Sequence, residues 1–130
     1  MNMDSANVEL LIKKIIQCIY NVRGVLPPGF LEKIYKNALY IELKEQGMPV
    51  ETEVPINVVY KNHIVGSYKA DMIVNKNIII ELKATQHLTL DNEVQLVNYL
   101  TALNIENGLL VNFGSDKIEI KRKYKTYRKL

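Results

Sequence analysis

The sequence is poor in the residues that build secreted scaffolds and zinc centres: one cysteine, Cys18, and two histidines, His63 and His87, stand among 130 residues. A lone cysteine closes no internal disulfide, and without CxxC or Cys/His spacing there is no zinc-ligand pattern. A reducing compartment is the expectation. No run of about 18 apolar residues is present to span a bilayer. No charged start followed by an apolar stretch reads as a signal peptide. A cytoplasmic protein with no membrane partner is therefore expected. Internal repeats, a Gly-rich phosphate loop, and a Ser/His/Asp or Cys/His set with recognisable spacing are also missing. Charge is nearly balanced, with 17 basic against 14 acidic side chains and a net charge of +3. Such a balance permits an anionic partner without demanding one.

What is present is a 48% hydrophobic chain, long enough for one domain with its own core. The expected domain is 1–130, with 1–5 and 124–130 frayed at its ends. Val8, Leu11, Ile12, Ile15, Ile16 and Ile19 recur at helical spacing behind a cap at Asp4 or Ser5, and Cys18 beside them reads as a small buried hydrophobe. Leu26-Pro27-Pro28-Gly29 breaks that helix. A second helix is expected from about Gly29, with Leu31, Ile34 and Ala38 on its buried stripe and Gly47 and Pro49 ending it. Val54, Ile56, Val58 and Tyr60 alternate in a half-buried strand over Val50–Tyr60, which Pro55 marks as an edge. A turn at Lys61-Asn62-His63 leads into a second strand ending at Val74. A third helix from Thr89 or Asp91 to about Leu103 carries Leu96, Leu100 and Leu103, and strands follow at Leu109–Val111 and around Ile118 and Ile120.

The densest strand signals lie in Lys69–Ala84. Met72-Ile73-Val74 and Ile78-Ile79-Ile80 are separated by Asn75-Lys76-Asn77, a turn-forming cluster, which predicts a β-hairpin. With those three residues as the loop, facing positions sum to 152. Asp71 then faces Glu81 and Lys69 faces Lys83, all four on one face. Two carboxylates about 5 Å apart among apolar runs need a neutralising partner. A hard divalent cation with oxygen ligands, Mg²⁺ or Mn²⁺, supplies it. Lys83 shares the face of Glu81 and can offer positive charge where negative charge develops. Neutralisation of an exposed strand pair by Lys69 and Lys83 is the plainer reading. A one-residue slip in register would separate the acids onto opposite faces.

Asp71 followed by Glu81-Leu82-Lys83 resembles the PD-(D/E)XK nuclease superfamily. Gly29-Phe30-Leu31-Glu32-Lys33-Ile34-Tyr35 resembles the signature of its small GxxExxY branch. Gln95 with Tyr99, and Gly108 to Gly114, extend the likeness from about the first helix to Arg122. Ala70 stands where the superfamily name has Pro, and Pro27 where many relatives have Gly. The resemblance implies an α/β restriction-endonuclease-like core, a mixed β-sheet (a three-stranded antiparallel meander plus two further strands) flanked by helices. It also implies a metal-dependent nuclease hydrolysing phosphodiester bonds in nucleic acid, DNA ahead of RNA. In that reading Asp71, Glu81, the Leu82 backbone carbonyl and Glu32 hold Mg²⁺ or Mn²⁺. Lys83 positions or balances charge, Gln95 orients water or a phosphate with Tyr99 pointing at the same place in the active site, and Tyr35 walls the pocket; Lys83, Glu32, Gln95 and Tyr99 form the implied catalytic set.

Each assignment has a plainer counterpart. Glu32 is equally a first-turn partner of the helix dipole. Tyr35 is equally a core tyrosine with its hydroxyl bonded. Gln95 and Tyr99, one helical turn apart, are equally helix surface and partial core; His63 reads as an exposed turn histidine, and His87, just past the Lys83 strand, either approaches substrate or is an ordinary loop histidine. The basic end, Lys121 to Lys129 with Tyr124 and Tyr127 interleaved, suits phosphates and base stacking or is a solvated tail. The alternative to an enzyme is a non-catalytic nucleic-acid-binding or protein-interaction module that keeps the fold. A homodimer or larger protein partner could then supply specificity.

Overall fold

The computed structural model describes residues 4–126. Helix α1 spans Ser5–Val25, and the Asp4 side chain accepts a 2.9 Å bond from the Asn7 N–H at its start. Val8, Leu11, Ile12, Ile15, Cys18 and Ile19 are buried as expected, Val22 joins them, and Ile16 is only partly buried. Helix α2 runs over Glu32–Glu45, three residues later than expected. Gly29 adopts φ +118°, a conformation open to glycine, and holds the chain in a turn until Leu31. The buried stripe lies one residue further along than expected. Tyr35, Leu39 and Leu43 are inside, whereas Leu31 is 71% exposed and Ile34 37% exposed.

Five strands follow: β1 Val50–Tyr60, β2 His63–Val74, β3 Ile78–Lys83, β4 Asn107–Asn112 and β5 Glu119–Tyr124, with helix α3, Leu90–Leu103, between β3 and β4. They form one mixed sheet in the order β1-β2-β3-β4-β5. Only the β3–β4 pair is parallel, as the α3 crossover requires. Every residue of β4, and all of β3 but Lys83, is covered, which matches their near-continuous apolar runs. Helices α1 and α2 cover one face through Met72, Val74, Ile78, Ile80, Leu82, Leu109 and Val111. Helix α3 covers the other through Ile73, Ile79 and Leu110. This is the expected sandwich of helix, mixed sheet and helix. Among the described residues no helix is long and apolar enough to cross a membrane.

Two parts of the sheet depart from expectation. Lys61 and Asn62, both at positive φ, make a two-residue turn joining Tyr60 to His63. Among the described residues nothing buries the end of that hairpin, and Val58, Val59, Tyr60, Ile64 and Val65 are exposed instead of alternating. The basic end is also less free than a tail. Lys121 and Lys123 pair with Glu93 at 3.1 and 3.0 Å, and Arg122 pairs with Glu9 at 2.7 Å. The expectation for Tyr127 to Leu130 lies outside the described residues.

Candidate functional site

The β2–β3 hairpin has the register its loop predicts. Met72, Ile73 and Val74 oppose Ile80, Ile79 and Ile78. One step further, at Asp71 and Glu81, side chains replace the backbone ladder. The Asp71 N–H donates to Glu81 Oε1 at 2.8 Å, and the Leu82 N–H donates to Asp71 Oδ2 at 2.9 Å. Each carboxylate is thus fixed by a main-chain donor on the facing strand. The two acids are held together in the covered interior of the sheet.

A slip in alternation accompanies this break. Ile73 and Ala70, an odd number of residues apart, both face α3, which strict pleating forbids. On β1, Val50 faces the α1–α2 side and Val54 the α3 side, an even number apart. Thr52 opposes Met72 and Val54 opposes Ala70, so Glu53 stands opposite Asp71. Glu53 sits at φ +52°, a left-handed backbone that costs a non-glycine residue about 1–2 kcal/mol. Lys36 of α2 forms an ion pair with its carboxylate. Lys69 is exposed and opposes Pro55 on β1, and Lys83 is half-buried and opposes Asn112 on β4.

The electrostatics follow from burial. Glu81 is 5% exposed, and its carboxyl is raised to about 8, first by burial and then by the Asp71 charge, with Lys83 opposing. Glu32 is raised as well, by partial burial and by Asp71, against Lys83 and Lys36. Tyr99, covered by the sheet, is pushed up to about 12 by burial and by Glu81 and Asp71. Its ring lies 5.4 Å from that of Tyr68. Asp71, Glu81, Lys83, Glu32 and Tyr99 therefore share one electrostatic neighbourhood. Gln95 is half-buried one turn before Tyr99 on α3, its side-chain amide making no hydrogen bond among the described residues.

A divalent cation fits the central pair. Two adjacent, covered carboxylates cannot both ionise near neutral pH without added positive charge, and a hard ion held by one or two carboxylates keeps water at its other positions. Among the described residues no three His, Cys, Asp or Glu side chains converge as a ready-made metal cluster. Asp71 and Glu81 would hold such an ion, with Glu32, whose charge interacts with that of Asp71, beside them.

Tyr35 takes its core reading. It is fully buried, stacks on Phe113 at 4.8 Å, donates its hydroxyl proton to the Pro27 carbonyl at 2.5 Å and accepts the Phe30 N–H at 3.1 Å. Glu32 begins the helix directly after the turn that Tyr35 ties. His87 is exposed on the loop after β3, and its charge is felt at Glu119.

Sequence reasoning did not foresee the latch beneath Lys83. Asn112, fully buried, accepts from the Thr85 and Gly114 N–H groups at 3.0 and 2.9 Å and donates to the Thr85 carbonyl and to Glu119, both at 2.9 Å. A Cβ on Gly114 would meet the Thr85 backbone at 2.4 Å. Arg23 closes the same end, donating to the Ser115 carbonyl at 3.1 Å and to that of Phe113. The Gly108–Gly114 motif carried the signal, but its partners lie far off in sequence.

Comparison with known proteins agrees with this architecture. The profile of the PD-(D/E)XK nuclease superfamily matches residues 9–123. No curated protein matches the chain at a significant level. Among solved structures, the crystal structure of SSO0001 is similar with a TM-score of 0.58 at 25% identity, the match covering 74% of this chain and 50% of that one. The chain thus spans about half the length of that protein.

Proposed function

The chain belongs to the PD-(D/E)XK nuclease superfamily, and from that premise we propose that it is a metal-dependent phosphodiesterase acting on nucleic acid, DNA ahead of RNA. The observation that carries the reading is the reciprocal pinning of Asp71 and Glu81 by the Leu82 and Asp71 N–H groups. It presents two hard oxygen donors with Lys83 one pleat away. A Mg²⁺ or Mn²⁺ ion held there would polarise a phosphoryl oxygen and acidify water.

The protein's own contribution is positional. Asp71 and Glu81 hold the ion, and the Leu82 carbonyl is the backbone group best placed in sequence to join them. Lys83 offsets charge developing on the phosphate. Glu32 keeps the surroundings anionic enough to favour a cation. Gln95, with its amide uncommitted, orients water or a non-bridging oxygen, and Tyr99 walls that side. The GxxExxY branch suits the residues from Gly29 to Tyr35, where Tyr35 anchors the turn that presents Glu32. A single 1–130 domain working in the cytoplasm, alone, as a homodimer or with a larger partner, completes the proposal.

Incubation with single- and double-stranded DNA and with RNA, in Mg²⁺, Mn²⁺ or EDTA, tests it. Metal-dependent cleavage is expected, reduced at least 100-fold by Lys83→Ala with the melting temperature unchanged. Activity retained in Lys83→Ala removes that residue from the mechanism. Binding with no cleavage in any metal favours the non-catalytic module.

A further inference from the structure

Beside the carboxylate pair lies a second feature that the chemistry above does not use. Between α2 and β1 is an open groove of about 530 Å³ lined by Lys33, Lys36, Asn37, Tyr40, Thr52 and Glu53. Four of these come from α2 at positions 33, 36, 37 and 40, the i, i+3, i+4, i+7 spacing that places them on one face. That face is not the buried one, which belongs to Tyr35, Leu39 and Leu43. Lysine, asparagine, threonine and tyrosine are the side chains that contact phosphate and sugar in nucleic-acid complexes. The one acidic member, Glu53, is bound to Lys36, whose ammonium keeps further donors. Lys33 forms no ion pair among the described residues.

Both walls lead to the site. Lys36 lies one turn, about 6 Å along the axis, from Glu32, where its charge is felt. Glu53 stands opposite Asp71 in the strand register. Lys33 to Tyr40 covers about 10 Å of helix, enough length to meet successive phosphates of one strand.

We infer that the α2–β1 groove is a backbone-binding track that holds the phosphates flanking the scissile bond. This rests on the nuclease reading. It adds which surface the strand crosses, and it makes that recognition independent of base sequence.

The test is a gel-shift and fluorescence-anisotropy titration of the full chain with a 20-mer duplex, its single strand and the matching RNA, in Ca²⁺ at several salt concentrations. The variant Lys33→Glu/Asn37→Glu alters two exposed positions and leaves the Lys36–Glu53 pair intact. It is expected to bind about tenfold more weakly, with a salt slope shallower by about 1. Lys33→Gln reads the same quantities should the double variant melt below the assay temperature. Wild-type affinity and slope in both variants overturn the track and leave the nuclease reading standing. A wild-type chain that neither binds nor cuts any of the three nucleic acids overturns both.

Discussion

The Tyr35 hydroxyl serves two main-chain groups at once, donating to Pro27 and accepting from Phe30. It thereby ties both sides of the Pro27–Phe30 turn to a ring clamped against Phe113. Tyr35→Phe keeps the ring and its stacking but leaves a carbonyl and an N–H unpaired in partial burial. A loss of about 1–2 kcal/mol is expected by urea denaturation, together with weakened cleavage, because the turn sets where Glu32 begins α2. Unchanged stability would mean that water takes over both bonds. The pattern Gly29-x-x-Glu32-x-x-Tyr35 was legible as a motif. Its physical content was less so: i, i+3 spacing makes Glu32 and Tyr35 neighbours but does not say that the tyrosine turns inward.

At the scale of elements, the end of β3 is held by its neighbour β4 through Asn112 and Gly114. The two glycines of that strand region make a controlled contrast. A Cβ at Gly108 would first meet the flexible tips of Leu96 and Leu100 at 3.0–3.2 Å, while one at Gly114 would strike the Thr85 and Ala84 backbone at 2.4–2.5 Å. Gly114→Ala is therefore expected to cost about 3 kcal/mol and Gly108→Ala about 1 kcal/mol. Thermal melts of the two variants check the order, and equal losses would deny the latch. The hairpin register was readable because a three-residue loop of turn formers leaves little freedom in pairing. The latch was not, because Asn112 and Thr85 are 27 residues apart and no local pattern reports it. The distal β1–β2 hairpin failed for a related reason. Alternation at Val58 and Tyr60 describes a strand with two faces, but not whether a helix exists to cover one of them. Nor does it register the slip at Glu53, where a left-handed backbone at a non-glycine residue has no sequence signature.

For the whole molecule, the site sets how stability responds to pH. The Glu81 carboxyl is raised from its ordinary value of 4.5 to about 8. Between those values the folded chain keeps a proton that the unfolded chain has released. Stability without metal should therefore fall as pH rises through that window, by up to about 1.4 kcal/mol per unit. Glu9, Glu93 and Glu119 are lowered, chiefly by hydrogen bonds from Arg122, from Lys123 and Lys121, and from Asn112. Their contribution is lost only on acidification below the ordinary carboxylate range, and solvent screening at the surface keeps it small, so the two trends occupy separate windows. A divalent ion held by this pair would compete with the Glu81 proton and stabilise the fold only where that proton has left. The rise in melting temperature caused by Mn²⁺ should grow from pH 5.5 to pH 8. Glu81→Gln keeps an oxygen for the Asp71 N–H and has no proton to lose, so it should flatten the metal-free slope and abolish most of the Mn²⁺ shift. A wild-type melting temperature that is level from pH 5 to 8, or a Mn²⁺ shift that survives Glu81→Gln intact, would place the ion elsewhere than on the paired carboxylates.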